Sequence, residues 1–333
     1  MPLTDASAGV AHRFVDVGAG FTMHIAEAGP ATGPLVVLLH GFPECWYSWR
    51  HQLAALADAG YHVVAPDQRG YGRTGAPPKP AVDSYTMPHL VGDVIGLIDA
   101  LGADRVVVAG HDWGAPVAWN TALMRPDRVD GVIGLSVPYL PRGSEPPIAV
   151  LRAVYSDGFY MCYFQEPGVA DAELSADPRA TFRRLLFAAS GDRSGGGIPV
   201  VPPGGGFLDL CPEPAQMPGW LTEADIDVFV DEFADSGFTG PLNWYRTMDL
   251  SWELMAAWRH ATITTPALYL GGDRDSVVSF TGGEAMLANL HKVVPGLRDA
   301  RILPGCGHWT QQERPAEVSQ AMIDFIASVH SSR

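Results

Sequence analysis

The chain has 333 residues, of which 47% are hydrophobic and 18% charged, so it is long enough to bury a large core in one or two domains. Its formal net charge of -15 and its 22 Lys and Arg residues argue against a nucleic acid partner, because phosphate binding needs clustered positive charge. No apolar run approaches the roughly 20 residues of a membrane helix, and the first residues lack the basic and apolar regions of a secretion signal. We therefore expect a cytoplasmic protein without a membrane span.

Strand-like and helix-like patterns alternate over the first 137 residues. The runs "HRFVDV" and "FTMHIAE" predict an opening hairpin, and the runs "PLVVLLH", "HVVAPD", "RVVVAG" and "GVIGLSV" follow with helical segments between them. Continuous Val, Ile and Leu strands joined by helices are typical of a parallel sheet covered on both faces. The sequence thus predicts an α/β fold with a mostly parallel, doubly wound sheet.

The pattern changes after Val137. From Pro138 to about Trp258 the chain is rich in aromatic residues and helical by period, and the strand pattern returns at "PALYLGGD". We therefore predict a helical cap of residues 138–258, inserted into a core formed by residues 1–137 and 259–333. The Gly/Pro-dense stretch 190–206 within this cap is expected to form a loop without regular structure.

The four cysteines stand far apart along the chain. They form no CxxC pair and have no neighbouring His at the spacing of metal ligands. We interpret them as free thiols and expect neither a disulfide framework nor a cysteine-bound metal. They are Cys45, Cys162, Cys211 and Cys306.

The segment "GHDWG" has a strand before it and a helix after it. Small residues at Gly110 and Gly114 permit the strained strand-to-helix turn known as a nucleophile elbow, where a serine usually stands. Here the central residue is Asp112, and the following helix directs its N-terminal dipole toward that carboxylate. An N-cap role is the competing interpretation of Asp112.

A carboxylate and a histidine follow two later strands. "LGGDRDSVV" contains Asp273 and Asp275, and "LPGCGHWTQQERP" contains His308, which gives the order nucleophile, acid, histidine of an α/β-hydrolase. Asp275 lies further into its loop, so we expect it to be the acid and Asp273 to support the turn. No Asp or Glu follows the earlier strand at "LSVPYLP", where such an acid could also be housed.

The segment "HGFPECW" comes directly after the strand "PLVVLL". Its backbone N–H at Phe42, together with that of Trp113, is a candidate oxyanion hole. Pro43 is expected to help fix this turn, with a cis bond as one way of doing so.

An aspartate nucleophile suits an electrophile different from that of a serine. A carboxylate that attacks a saturated carbon forms an alkyl ester, whose carbonyl belongs to the enzyme and can still be hydrolysed, whereas a serine would form an inert ether. Such carbons carry an epoxide oxygen or a halide as leaving group. An epoxide oxygen needs an acid or strong hydrogen-bond donors, and a halide does not, so phenols in the cap would favour the epoxide.

The motifs "YFQEPGVA", "GPLNWYR", "HGFPE" and "GHDWG", with the His308 segment, resemble the soluble epoxide hydrolases of the α/β-hydrolase superfamily. The resemblance spans nearly the whole chain and concerns only the hydrolase domain. It implies that Tyr160 and Tyr245 bind and protonate the epoxide oxygen and that His308 and Asp275 activate water. Tyr163, one helical turn from Tyr160, is a rival for its role.

The same resemblance implies conversion of a small apolar epoxide to a vicinal diol through an Asp112 ester, without a metal or organic cofactor. A haloalkane or haloacid dehalogenase and a hydrolase-like small-molecule receptor are the alternatives. The exposed cap surface is a candidate homodimer contact, and the role of His111 is undetermined. Candidate substrate-binding residues, for which core packing is an equal explanation, are Phe42, Trp113, Trp244, Met248 and Trp309.

Overall fold

The structure is a computed structural model that describes residues 9–77, 81–193 and 197–331. Residues 194–196 of the Gly/Pro-dense stretch therefore lie outside the described residues. In the described part of that stretch, Val200 forms an isolated antiparallel bridge with Phe159, and neither a helix nor a strand occurs. None of the helices described is both long and apolar enough to cross a membrane.

Eight strands of the described chain form one sheet in the order β1-β2-β4-β3-β5-β6-β7-β8. The first two pairings, β1 with β2 and β2 with β4, are antiparallel, and all the others are parallel, which confirms the predicted mostly parallel sheet. The strands are β1 (Ala11–Asp16), β2 (Thr22–Ala28), β3 (Leu35–Leu39), β4 (His62–Pro66), β5 (Val106–His111), β6 (Val129–Leu135), β7 (Ala267–Gly272) and β8 (Leu297–Leu303).

The central strands are buried along their whole length. Every residue of β3, β5, β6 and β7 is buried, because helices cover both faces of the sheet. The helices beside the sheet that precede the end of β6 are α1 (Arg50–Asp58), α2 (Met87–Ala100) and α3 (Gly114–Met124). Those that follow β7 are α11 (Ser276–Phe280), α12 (Gly283–Val293), α13 (Thr310–Glu313) and α14 (Pro315–His330). The helices between β6 and β7 are given below.

The closing helix α14 shows how the sequence period becomes a packed face. Its buried residues recur at a helical spacing and contact β6 and β7, while most of the intervening positions are exposed. This stripe contains Val318, Ala321, Met322, Phe325, Ile326 and Val329.

A run of helices joins β6 to β7. Phe182, Phe229, Phe233 and Phe238 pack ring against ring in its interior, with centroid distances of 5.1 to 5.7 Å, so aromatic contacts hold these helices together. The division at 137/138 and 258/259 stays a proposal. The helices are α4 (Pro147–Tyr155), α5 (Tyr160–Tyr163), α6 (Val169–Ala176), α7 (Pro178–Ala188), α8 (Glu223–Phe233), α9 (Thr239–Arg246) and α10 (Met248–Leu254). Short 3-10 helices are Trp46–Trp49, Val82–Tyr85, Phe207–Leu210 and Met255–Trp258.

Strands β3, β5, β6, β7 and β8 all run in the same direction. Their carboxyl ends therefore meet at one edge of the sheet, which is the edge where α/β proteins collect their chemistry. The segments that leave these ends carry Phe42, Asp112, Ser136, Asp275 and His308.

Candidate active site

Asp112 occupies a tight turn between β5 and α3. Its φ of +49° lies in the left-handed region that non-glycine residues rarely adopt. A Cβ atom on Gly110 would overlap the carbonyl oxygen of Gly114, and a Cβ on Gly114 would overlap that of Leu39. The two glycines of "GHDWG" are therefore required, because neighbouring backbone segments approach them too closely to leave room for a side chain.

The carboxylate of Asp112 does not cap α3. Trp113 stands at the N-cap position without a side-chain capping bond, while Asp112 Oδ1 accepts a hydrogen bond of 2.7 Å from the backbone N–H of Phe42. The Phe42–Pro43 peptide bond is cis, and a Cβ on Gly41 would overlap the side chain of Asp112. The "HGFPE" loop thus lies directly against the elbow, as an oxyanion hole requires.

His308 lies between two carboxylates. Its Nε2 is 3.5 Å from Asp112 Oδ2, and its Nδ1 is 3.2 Å from Asp275 Oδ1. Asp275 is wholly buried at the N-cap of α11, where it also accepts a bond of 2.8 Å from the N–H of Val277. Asp273 is exposed and accepts from the N–H of Gly305 instead, so the structure brings Asp275, and not Asp273, to His308.

The electrostatics of this trio favour an ion network. Burial disfavours the charge on His308, but Asp275 and Asp112 together outweigh burial and raise the pKa of His308 well above its usual value. Burial likewise opposes ionisation of both carboxyls, and His308 reverses the effect, so that the pKa of Asp112 and that of Asp275 are lowered. The three shifts all favour the charged forms, an imidazolium between two carboxylates.

A cavity of about 690 Å³ opens above Asp112 and His308. Tyr160 and Tyr245 both line it, and their ring centroids are 6.0 Å apart. Burial, followed by the charge of Asp112, raises the pKa of each phenol well above its usual value, which favours the protonated form that can donate a hydrogen bond. Some of the described residues of the Gly/Pro-dense stretch, such as Arg193 and Pro199, also line this cavity.

Tyr163 faces elsewhere. Its hydroxyl donates a bond of 2.9 Å to Glu173 Oε2 in α6, and it is absent from the lining of the cavity above Asp112. Between the two tyrosines that are one helical turn apart, the structure therefore brings Tyr160, and not Tyr163, to Asp112 and Tyr245.

The candidate substrate-binding residues divide between two cavities. Phe42 and Trp309 line the cavity above Asp112, whereas Trp244, Met248 and the side chain of Trp113 line a neighbouring cavity of about 260 Å³. Trp113 packs edge-on against Tyr245 with a centroid distance of 5.1 Å. A residue of the smaller cavity thus contacts a residue of the cavity above Asp112. The indole of Trp244 is buried and donates to the carbonyl of Arg69.

Sequence reasoning left His111 undetermined and missed its partner Glu44. His111 Nδ1 is 2.8 Å from Glu44 Oε2, and His111 Nε2 is 2.7 Å from the carbonyl oxygen of His308. Both side chains are wholly buried. Because this pair links the "HGFPE" loop, the elbow and the His308 loop, it fixes their relative positions.

Two further residues near His308 gave no recognised signal in the sequence. Glu313 accepts from the backbone N–H groups of Gly191, Gly307 and Trp309, and so ties the end of the α7 segment to the His308 loop. Ser136 lies 2.6 Å from Asp275 Oδ2. A serine after β6 belongs to no motif, because an acid at that position would be an Asp or Glu.

Comparisons with known proteins agree on one group. A protein-family profile described as alpha/beta hydrolase fold matches residues 34–172. "Epoxide hydrolase A" of Mycobacterium tuberculosis is 45% identical, over 95% of this chain and 97% of that protein. "Epoxide hydrolase 2" of Siraitia grosvenorii is also 45% identical, over 92% and 95%.

Solved structures give the same result. The crystal structure of epoxide hydrolase A from Mycobacterium thermoresistibile has a TM-score of 0.89 and 48% identity, with 96% of this chain and 98% of that chain covered. An epoxide hydrolase from an endophytic Streptomyces has a TM-score of 0.90 and 45% identity, with 97% of each chain covered.

Proposed function

The chain belongs to the epoxide hydrolases of the α/β-hydrolase superfamily, enzymes that add water to an epoxide to give a diol, and we propose that Asp112 performs this reaction as a covalent nucleophile. The observation that carries the proposal is the pair of protonated phenols, Tyr160 and Tyr245, that share one cavity with the Asp112 carboxylate. A halide leaving group would need no such acid.

The first step alkylates Asp112. Oδ1 is engaged by the N–H of Phe42, so Oδ2 is the attacking oxygen. Its lone pair forms the bond to the epoxide carbon while the carbon–oxygen bond of the ring breaks. The departing oxygen takes a proton from Tyr160 or Tyr245, and the resulting phenolate is neutralised by the proton that His308 carries in the free enzyme.

The second step hydrolyses the ester. Alkylation removes the negative charge of Asp112, which is one of the causes that raise the pKa of His308, so the imidazole now becomes a base. Neutral His308 takes a proton from water, and the hydroxide adds to the ester carbonyl of Asp112. The N–H groups of Phe42 and Trp113 stabilise the oxyanion. The diol oxygen leaves with the proton of His308, and the carboxylic acid of Asp112 then transfers its proton to His308, which restores the carboxylate and the protonated imidazole of the starting state.

The lining of the main cavity supports a small apolar epoxide as substrate. Phe42, Trp309 and Leu185 supply apolar surface close to Asp112. Trp113, Trp244 and Met248 would contact a substituent long enough to reach the neighbouring cavity. We also propose a cytoplasmic location and keep a homodimer through the cap as a hypothesis, which sedimentation velocity measures directly.

Trapping the ester tests the proposal. The variant H308Q should alkylate Asp112 and then fail to hydrolyse the product, so a peptide containing Asp112 should gain the mass of the epoxide. Wild-type enzyme quenched in the steady state should carry much less of this adduct. An H308Q enzyme that accumulates no adduct while wild type produces diol would refute the covalent route. An assay for released halide with a bromoalkane separates the dehalogenase alternative.

A further inference from the structure

Ser136 follows β6 directly and is wholly buried against the acid and the histidine. Its Oγ lies 2.6 Å from Asp275 Oδ2 and 3.0 Å from His308 Nδ1. The hydroxyl oxygen is therefore nearer to Nδ1 than either carboxylate oxygen of Asp275, which lie at 3.2 and 3.4 Å.

The backbone of Ser136 is held in an unfavourable conformation. Its φ of +66° lies in the left-handed region, where a residue with a side chain is destabilised. Two hydrogen bonds hold this conformation. The N–H of Ser136 donates to the carbonyl of Leu270 at 2.9 Å, and the hydroxyl of Tyr269 donates to the carbonyl of Ser136 at 2.7 Å. This geometry aims the side chain at the triad.

The donors and acceptors leave one consistent arrangement. The ionised carboxylate of Asp275 can only accept, so the single proton of the Ser136 hydroxyl is donated to Asp275. The lone pairs of Oγ then face His308 Nδ1, which must carry a proton. In the neutral imidazole only one nitrogen is protonated, and Nε2, the nitrogen that faces Asp112, is therefore free.

We propose that Ser136 is a positioning residue that fixes neutral His308 with its proton on Nδ1 and thereby leaves Nε2 able to accept a proton from water. The proposal rests on the covalent mechanism given above. It applies to the second step alone, because the imidazolium of the free enzyme carries protons on both nitrogens and has no tautomer to select.

The variant S136A tests this assignment by separating the two steps. Wild type and S136A are mixed rapidly with excess styrene oxide, quenched at short times, and analysed for the mass of the Asp112 ester. We expect the rate of ester formation to be nearly unchanged and the rate of ester hydrolysis to fall about tenfold or more, as for loss of a hydrogen bond to a charged group. The ester should then dominate the steady state of S136A.

Two further variants complete the experiment. T121V removes another buried hydroxyl, which donates to the carbonyl of Val117 within α3 and does not line the cavity above Asp112, and it should leave both rates unchanged. S136C keeps a similar shape with much weaker hydrogen bonding, and should slow hydrolysis selectively if S136A does not fold.

The outcomes distinguish the positioning role from the mechanism on which it rests. Unchanged hydrolysis in S136A, or in S136C where only that variant folds, would overturn the role of Ser136, as would equal slowing of the two steps. If wild type itself forms no ester while it produces diol, the covalent mechanism fails, and the role of Ser136 fails with it.

Discussion

The sheet edge and the helical region above it supply different parts of the same reaction, and they are built differently. At the sheet edge, backbone segments approach so closely that a Cβ on Gly110 or Gly114 has no room. In the helical region, Tyr160 and Tyr245 are held by ring contacts with neighbours such as Phe164, at 5.7 and 5.1 Å. In the proposed mechanism, the sheet edge determines which atom attacks, and the helical region determines which leaving group is accepted.

Removing the attacking atom at the sheet edge should have the largest effect. D112N replaces the carboxylate by a poor nucleophile, and we expect diol formation to fall by about 10⁴-fold or more. Steady-state assays of epoxide consumption measure the loss. D127N, which changes an exposed aspartate paired with Arg125, is the control and should retain wild-type rates. Substantial activity in D112N would mean that another group attacks the epoxide.

Removing the acids of the helical region should have the next largest effect. We expect the double variant Y160F Y245F to lose about 10³-fold in kcat/KM for an epoxide, because the departing oxygen loses both donors. Y163F removes a hydroxyl bonded to Glu173 and serves as the control, with little change in kcat/KM. If Y163F were the more damaging change, the assignment of Tyr160 would be wrong.

Because backbone segments crowd the elbow, a side chain added there should lower the free energy of unfolding, whereas one added at an open glycine should not. G110A places a Cβ against the backbone of Gly114, and we expect a loss of about 3 kcal/mol in the free energy of unfolding. G92A is the matched control, because a Cβ at Gly92 in α2 meets nothing within 4 Å and should raise stability by up to about 1 kcal/mol. Urea unfolding of both variants measures the difference. Equal stabilities would contradict the crowding of the elbow.

The electrostatic coupling of the triad predicts a smaller effect, a displaced pH profile. His308 is the largest influence that lowers the pKa of Asp112 against burial, so in H308Q only His111 and the N–H of Phe42 still oppose burial and the pKa of Asp112 rises. Ester formation requires the ionised carboxylate, and as the pH falls it should be lost at a higher pH in H308Q than in wild type. Single-turnover adduct formation across the acidic range measures this, with H330Q as control. Coincident profiles would contradict the ion network.

The fold was predictable because most central strands are nearly continuous apolar runs, and parallel strands bring the residues after their carboxyl ends to one edge. From the sequence alone, that rule predicts Asp112, Asp275 and His308 in one region. The choice of Asp275 over Asp273 rested only on its position in the loop, and the structure gives the reason, since Asp273 is turned toward the N–H of Gly305.

Contacts between distant segments could not be predicted in this way. Ser136 lies 139 residues from Asp275 in the chain and carries no motif, so only the folded sheet brings the two together. Residues that are neighbours in the sequence also need not line the same cavity. Trp244 and Tyr245 are consecutive in α9, yet they line different cavities, because neighbouring residues of a helix point in different directions.

The central claim is that water attacks the Asp112 ester and not the epoxide. A single turnover with enzyme in excess over epoxide, in water enriched in the heavy oxygen isotope, tests it directly. Mass spectrometry of the Asp112 peptide should find heavy oxygen in the carboxylate, and the diol of that first turnover should contain none. Heavy oxygen in the first diol with an unlabelled Asp112 would contradict the account.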